Sequence, residues 1–148
     1  MGLRATRGLD ELMLDFAALA ELPESVIDDM LTAQADVVEP AQKKYAKEMG
    51  IYDLGVTEGS IRRTPITSSR SGRKLSIYPQ GTNPKGRRNA EVAFMNEFGT
   101  NDKRNINGKN RGKMPARPFI RTANEAVADE AVERSARIYN AFVDSKNL

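Results

Sequence analysis

Apolar residues recur at three- and four-residue spacing over two long stretches near the start of the chain, the period of a helix face turned to a core. The first is Leu9, Leu12, Met13, Phe16, Leu19 and Ala20, with Asp10, Glu11 and Asp15 directed elsewhere. Glu21-Leu22-Pro23 breaks it, because Pro23 cannot continue a hydrogen-bonded ladder but suits the opening position of a new helix. A longer helix is predicted from Pro23 to about Met49, with Val26, Met30, Ala33, Val37, Ala41 and Tyr45 as its stripe. Asp28 and Asp29 lie near its start and Lys43, Lys44 and Lys47 near its end, the arrangement that complements the helix dipole. Pro40 should kink or split it near Val37, and Gly50 should stop it.

From Ile51 the helical period gives way to short runs punctuated by Gly55, Gly59, Pro65, Gly72, Pro79, Gly81, Pro84 and Gly86. That is a rhythm of strands and turns. Ser60–Thr67 and Arg73–Tyr78 are the strand candidates, Leu75 and Ile77 sharing a face by two-residue alternation. Gln80–Arg88 reads as a basic connection with a turn at Asn83-Pro84. Ala90–Phe98 fits either period: a strand with Ala90, Val92, Phe94 and Phe98 on one face, or a short helix with Ala90, Phe94 and Phe98 as its stripe. Its Ala, Glu and Met content and the following Gly99 favour the helix. Residues 101–114 read as a loop expected to be mobile in the free subunit, with only Ile106 apolar ahead of Met114. Pro118 then approaches a C-terminal helix over 119–145 with Ile120, Ala123, Val127, Ala131, Ile138 and Phe142 as its stripe, and Thr122-Ala123-Asn124-Glu125 has capping-box spacing. The expected fold is α+β in a single domain over 1–148: a helical part over 1–50, a strand and loop part over 51–123, and the C-terminal helix, the helices packing on a small, mostly antiparallel sheet. A sheet of that kind leaves an edge to which a neighbour can add a strand.

Composition narrows the chemistry. With no Cys and no His in 148 residues there is no disulfide, thiolate nucleophile, Cys/His zinc site or Ser-His-Asp triad to build. The commonest general acid/base near neutral pH is also missing, which weighs against an enzyme. Glu91, Glu97 and Asp102 are the carboxylates of the basic middle, and their spacing marks no metal site; Asp144-Ser145-Lys146 is a chance-level match to a nuclease pattern. No catalytic, cofactor-binding or metal-binding residue is therefore nominated. No run reaches the length of a membrane span and the N-terminus lacks the apolar core of a signal peptide, so synthesis in the cytoplasm is expected.

The formal charge of +3 hides a strong polarity along the chain. Residues 1–59 hold 5 Lys/Arg against 12 Asp/Glu, residues 60–117 hold 14 against 3, and residues 118–148 hold 4 against 5. Such asymmetry suits an anionic partner for the middle, or contact between the acidic part of one copy and the basic part of another. Arg87, Arg88, Lys103, Arg104, Lys109, Arg111 and Lys113 are the candidates for a surface facing DNA or a partner, against the plainer reading of solvated surface charge. No aromatic residue lies within 101–114 to stack on bases and no helix carries the cations into a groove, so any DNA contact should be non-specific, to the backbone, and salt-sensitive.

The stretch from Ala90 to Ala123 carries the sharpest signal. An apolar run ends in Glu97-Phe98-Gly99-Thr100, a cationic excursion follows, and order resumes at Met114, leading through Pro115-Ala116-Arg117 into Pro118-Phe119-Ile120-Arg121-Thr122-Ala123. This pair of motifs resembles the family of small neck or tail-completion proteins of long-tailed double-stranded DNA bacteriophages, the "tail component" proteins. In that family an apolar run ending in Glu-Phe-Gly-Thr or Glu-Phe-Gly-His precedes a variable loop and a Pro-Phe-Ile-Arg-Pro-Ala segment opening the last helix. Thr122 stands where the family often has a second proline.

The resemblance implies a structural virion protein that joins the DNA-filled head to the tail as a ring around the DNA channel, of six or twelve copies. It also implies head-closure and tail-terminator or tail-tube proteins as partners, with non-specific contact with viral DNA left open. A tail terminator or another neck ring protein is the alternative within that class; a non-specific basic nucleic-acid-binding protein is the alternative outside it. Glu97, Phe98, Gly99, Thr100, Pro118 and Phe119 are expected to be scaffold: Phe98 core, Gly99 a helix terminator, and Glu97 a carboxylate held by Arg117 or Arg121 because a helix C-terminus disfavours it.

Overall fold

The computed structural model describes residues 22–101 and 113–146. The first predicted helix, at Leu9–Ala20, and most of the cationic excursion lie outside the described residues. Within them the fold is α+β: helix α1 (Glu24–Glu48), a 3-10 turn at Ile51–Leu54, strands β1 (Ile61–Arg63), β2 (Thr67–Ser69), β3 (Gly72–Lys74) and β4 (Ile77–Pro79), then helices α2 (Asn89–Phe98) and α3 (Phe119–Ser145).

Helix α1 begins one residue after Pro23, whose carbonyl accepts the N–H groups of Val26 and Ile27. Although Pro40 brings no N–H to the ladder, α1 runs through it as one helix and is not split at Val37. Gly50 ends the helical run in the left-handed conformation (φ 69°, ψ 24°), as expected of a terminator.

Each of the two strand candidates is divided, giving two antiparallel ladders of two strands. β1 pairs with β4 in the register Ile61↔Pro79, Arg62↔Tyr78, Arg63↔Ile77. β2 pairs with β3 in the register Thr67↔Lys74, Ser68↔Arg73, Ser69↔Gly72. The interruption holds Pro65, which has no N–H to offer a ladder.

The chain forms two compact units, each assembled from separated segments. One takes in α1 up to Val37, Pro65–Leu75 and α3 from Ala128. Leu22, Tyr139 and Val143 form a buried apolar cluster in it, with Val26, Ile27, Met30 and Phe142 packed against them. There Gln34 donates to the Ser135 hydroxyl at 3.1 Å, and the Arg73 guanidinium at the β2–β3 hairpin pairs with both oxygens of Asp28, the Nη2–Oδ2 contact being 2.8 Å.

The other unit takes in Val38–Thr64 and Ser76–Val127. Its core is Ala46, Ile51, Val56, Ile61, Val92, Ala93 and Phe119, with Tyr45, Met49, Tyr52, Leu54, Ile77, Met95 and Ile120 around it. This second unit carries both halves of the motif pair.

Candidate functional site

The segment from Ala90 to Phe98 is helical, and its buried face is not the stripe that its apolar residues suggest. Asn89, Val92, Ala93, Asn96 and Glu97 point inward, at helical spacing. Ala90, Phe94 and Phe98 are exposed, Phe94 at 64% and Phe98 at 67%. Phe98 is therefore not core, contrary to expectation. Hydrogen bonding favours this face, because Asn89 and Glu97 serve backbone groups of other segments that would otherwise lack partners.

Asn89 accepts the Thr57 N–H on Oδ1 and donates from Nδ2 to the Gln80 carbonyl, both at 2.9 Å. Asn96 donates from its side-chain Nδ2 to the Val92 carbonyl at 2.9 Å, and its backbone carbonyl accepts the Arg117 N–H at 2.6 Å. The turn at Asn83 is held the same way. Its Oδ1 accepts the N–H groups of Lys85 and Arg87, at 3.0 and 2.9 Å, while Nδ2 donates to the Gly55 carbonyl at 2.7 Å. Burying Phe94 and Phe98 instead would turn these groups out of place.

Glu97 is held by a helix terminus rather than by a guanidinium. Its Oε2 accepts the Ile120 N–H and its Oε1 the Arg121 N–H, each at 2.9 Å. These are first-turn donors of α3, which the helix itself leaves without partners, and the positive end of the α3 dipole faces the carboxylate. The expectation that Arg117 or Arg121 supplies a cation is thus corrected: Arg121 contributes its backbone. The capping-box reading at Thr122 is corrected too, since α3 begins at Phe119 and Glu97 caps it from 22 positions upstream of that start. Pro118 precedes the helix, its carbonyl accepting the Thr122 N–H, and Phe119 is fully buried.

Gly99 ends α2 at φ 72° and ψ 177°, a region open essentially to glycine alone. A Cβ there would lie 2.7 Å from the Met114 carbonyl oxygen and 2.9 Å from the Ala116 nitrogen. Thr100 then bridges to Met114: its N–H donates to the Met114 carbonyl at 2.9 Å and its hydroxyl accepts the Met114 N–H at 3.1 Å. The two motifs thus form one clamp, closed by a helix cap, a glycine contact and a two-bond bridge. The stretch 101–113, with five cations against Asp102, leaves and returns through it.

The remaining basic candidates divide. Arg87, Arg88 and Lys113 are exposed, and Arg88 leads into α2 in an extended conformation. Lys103, Arg104, Lys109 and Arg111 lie outside the described residues. Beside α2, Arg87, Ala90, Glu91, Phe94 and Met95 line a shallow groove of about 520 Å³. The rings of Phe94 and Phe98 pack against each other with centroids 4.7 Å apart and planes inclined by 50°. Together they make an apolar ridge that leads directly into the clamp.

Asn83, Asn89 and Asn96, which organise this unit, were not singled out from sequence as functional or structural residues, Asn83 being read only as part of a turn. Asparagine in a helix or turn ordinarily reads as a surface residue, and only the backbone groups it meets reveal otherwise. Among the described residues no three acidic side chains gather as a metal site, and no helix is long and apolar enough to cross a membrane. Compared with known proteins, the chain matches no family model, no curated protein and no solved structure.

Proposed function

We propose that this chain is a structural virion protein of a tailed bacteriophage: a neck or tail-completion component that joins the DNA-filled head to the tail as a ring around the DNA channel. It transforms no substrate. It is made in the host cytoplasm and resides in the virion. Its partners are further copies of itself and the adjoining head-closure and tail-terminator or tail-tube proteins.

The observation that carries this reading is the union of the two resembling motifs. Glu97-Phe98-Gly99-Thr100 and Pro118-Phe119 meet as one clamp, through the Glu97 cap on α3 and the Gly99 approach to Met114. Such an arrangement is architectural: it fixes the two ends of a cationic excursion and leaves a phenylalanine ridge uncovered beside it. A fixed base presenting charge and apolar surface suits docking to other particle components.

The reading is tested by silencing the coding region in the phage that carries it. Filled heads and separate tails should then accumulate, and supplying the protein in trans should restore joined particles. Infectious particles assembled without it would overturn the reading. Exposed Arg87, Arg88 and Lys113 favour a second reading, non-specific DNA binding. Salt-dependent affinity of the isolated chain for DNA, together with normal particles in its absence, would establish that one instead.

A further inference from the structure

We infer that the Phe94–Phe98 ridge of α2 is the docking face for the segment Leu9–Ala20 of a second copy of this chain. Among the described residues nothing covers the ridge, whose two aromatic side chains are 64% and 67% exposed. Two neighbouring phenylalanines open to water on one helix face mark an interaction surface rather than scattered surface residues. Among the described residues the other exposed large apolar side chains are Tyr78 and Val132, and neither belongs to a stripe that could cover an aromatic ridge.

The stripe that could do so is in the sequence ahead of α1. Leu9, Leu12, Met13, Phe16, Leu19 and Ala20 recur at the spacing by which an amphipathic helix presents anchors to an apolar surface. The charges match. Asp10, Glu11, Asp15 and Glu21 accompany that stripe, and no Lys or Arg occurs between Arg7 and Lys43. Around the ridge, exposed Arg87 and Arg88 stand at the start of α2, against Glu91 in the groove itself. The excursion of five cations begins three residues after Phe98.

A segment given by one copy to the ridge of the next leaves its own ridge free for a third. That is the head-to-tail contact which closes into a ring. As the joint between subunits, the inference rests on the function proposed above, but its test does not involve the particle.

Because the chain has no cysteine, introduced thiols report this contact alone. Full-length protein carrying Phe98→Cys is mixed with protein carrying Leu12→Cys, Phe16→Cys or Leu19→Cys and oxidised, with Asp15→Cys and Val132→Cys as positions away from the contact. Covalent heterodimer should form in the mixtures several-fold above the homodimer of either chain alone, and well above the two control positions. The inference is overturned if Phe98→Cys pairs mainly with itself. It is equally overturned if a chain carrying both Phe98→Cys and Phe16→Cys closes within itself while mixtures give no heterodimer, or if no pairing exceeds the controls. Failure here removes the joint and leaves head-to-tail joining to be judged by particle assembly; normal particles without the protein would remove that function and leave the joint.

Discussion

Glu97 shows how far one side chain's role depends on what folds beside it. From sequence it is an anion at the wrong end of a helix; in the fold it is an anion at the right end of another. Its two oxygens satisfy the N–H groups of Ile120 and Arg121, so Glu97→Ala strands two donors and should lower stability by about 1–3 kcal/mol. Glu97→Gln keeps one acceptor oxygen, sets its NH2 against the other N–H and loses the charge facing the dipole, a cost at the lower end of that range, about 1 kcal/mol. Urea denaturation of the three proteins would check the order, and equal midpoints would contradict the cap. Tyr52 offers a test by pH. Burial, then the nearby Glu58 carboxylate, pushes its phenol above the ordinary value of 10.0. The fold therefore keeps a proton that the unfolded chain gives up, and stability is lost as pH rises from that ordinary value through the folded one. Thermal melts across this alkaline window should show Tyr52→Phe losing less than the parent protein.

Helices and turns were legible because they follow from local period and punctuation. Pro23, Gly50 and the break after Phe98 stand where spacing and glycine placement put them, but α3 buries Tyr139 and Val143, one position beyond the expected Ile138 and Phe142. Which face α2 turns inward was not legible. The stripe Ala90, Phe94, Phe98 is the apolar choice, but Asn89 and Glu97 have obligations to Thr57, Gln80 and α3 that appear only once distant segments meet. The two phenylalanines of the motif pair separate these cases. Phe119 is fully buried, so Phe119→Ala should cost about 3–5 kcal/mol. Phe98 is mostly exposed, and Phe98→Ala should shift stability by less than about 0.5 kcal/mol. Comparable losses in both variants, read from chemical denaturation, would place Phe98 in the core after all.

Taken as one chain, the protein concentrates acid in residues 1–59 and base in residues 60–117, while each compact unit draws on both of those stretches. Composition alone made assembly through unlike charges a sensible expectation. It could not indicate that the motif pair closes into a clamp or that aromatic rings stand uncovered beside it. Those features give the proposed joining function its physical form: a fixed base, a cationic stretch leaving and returning through it, and an apolar ridge for a neighbour. The most direct test of the proposed function is a density map of finished tailed-phage particles produced with the coding region of this chain intact. The account predicts a ring of copies at the head–tail junction, around the DNA channel. A complete, infectious particle whose map holds no such chain would contradict it.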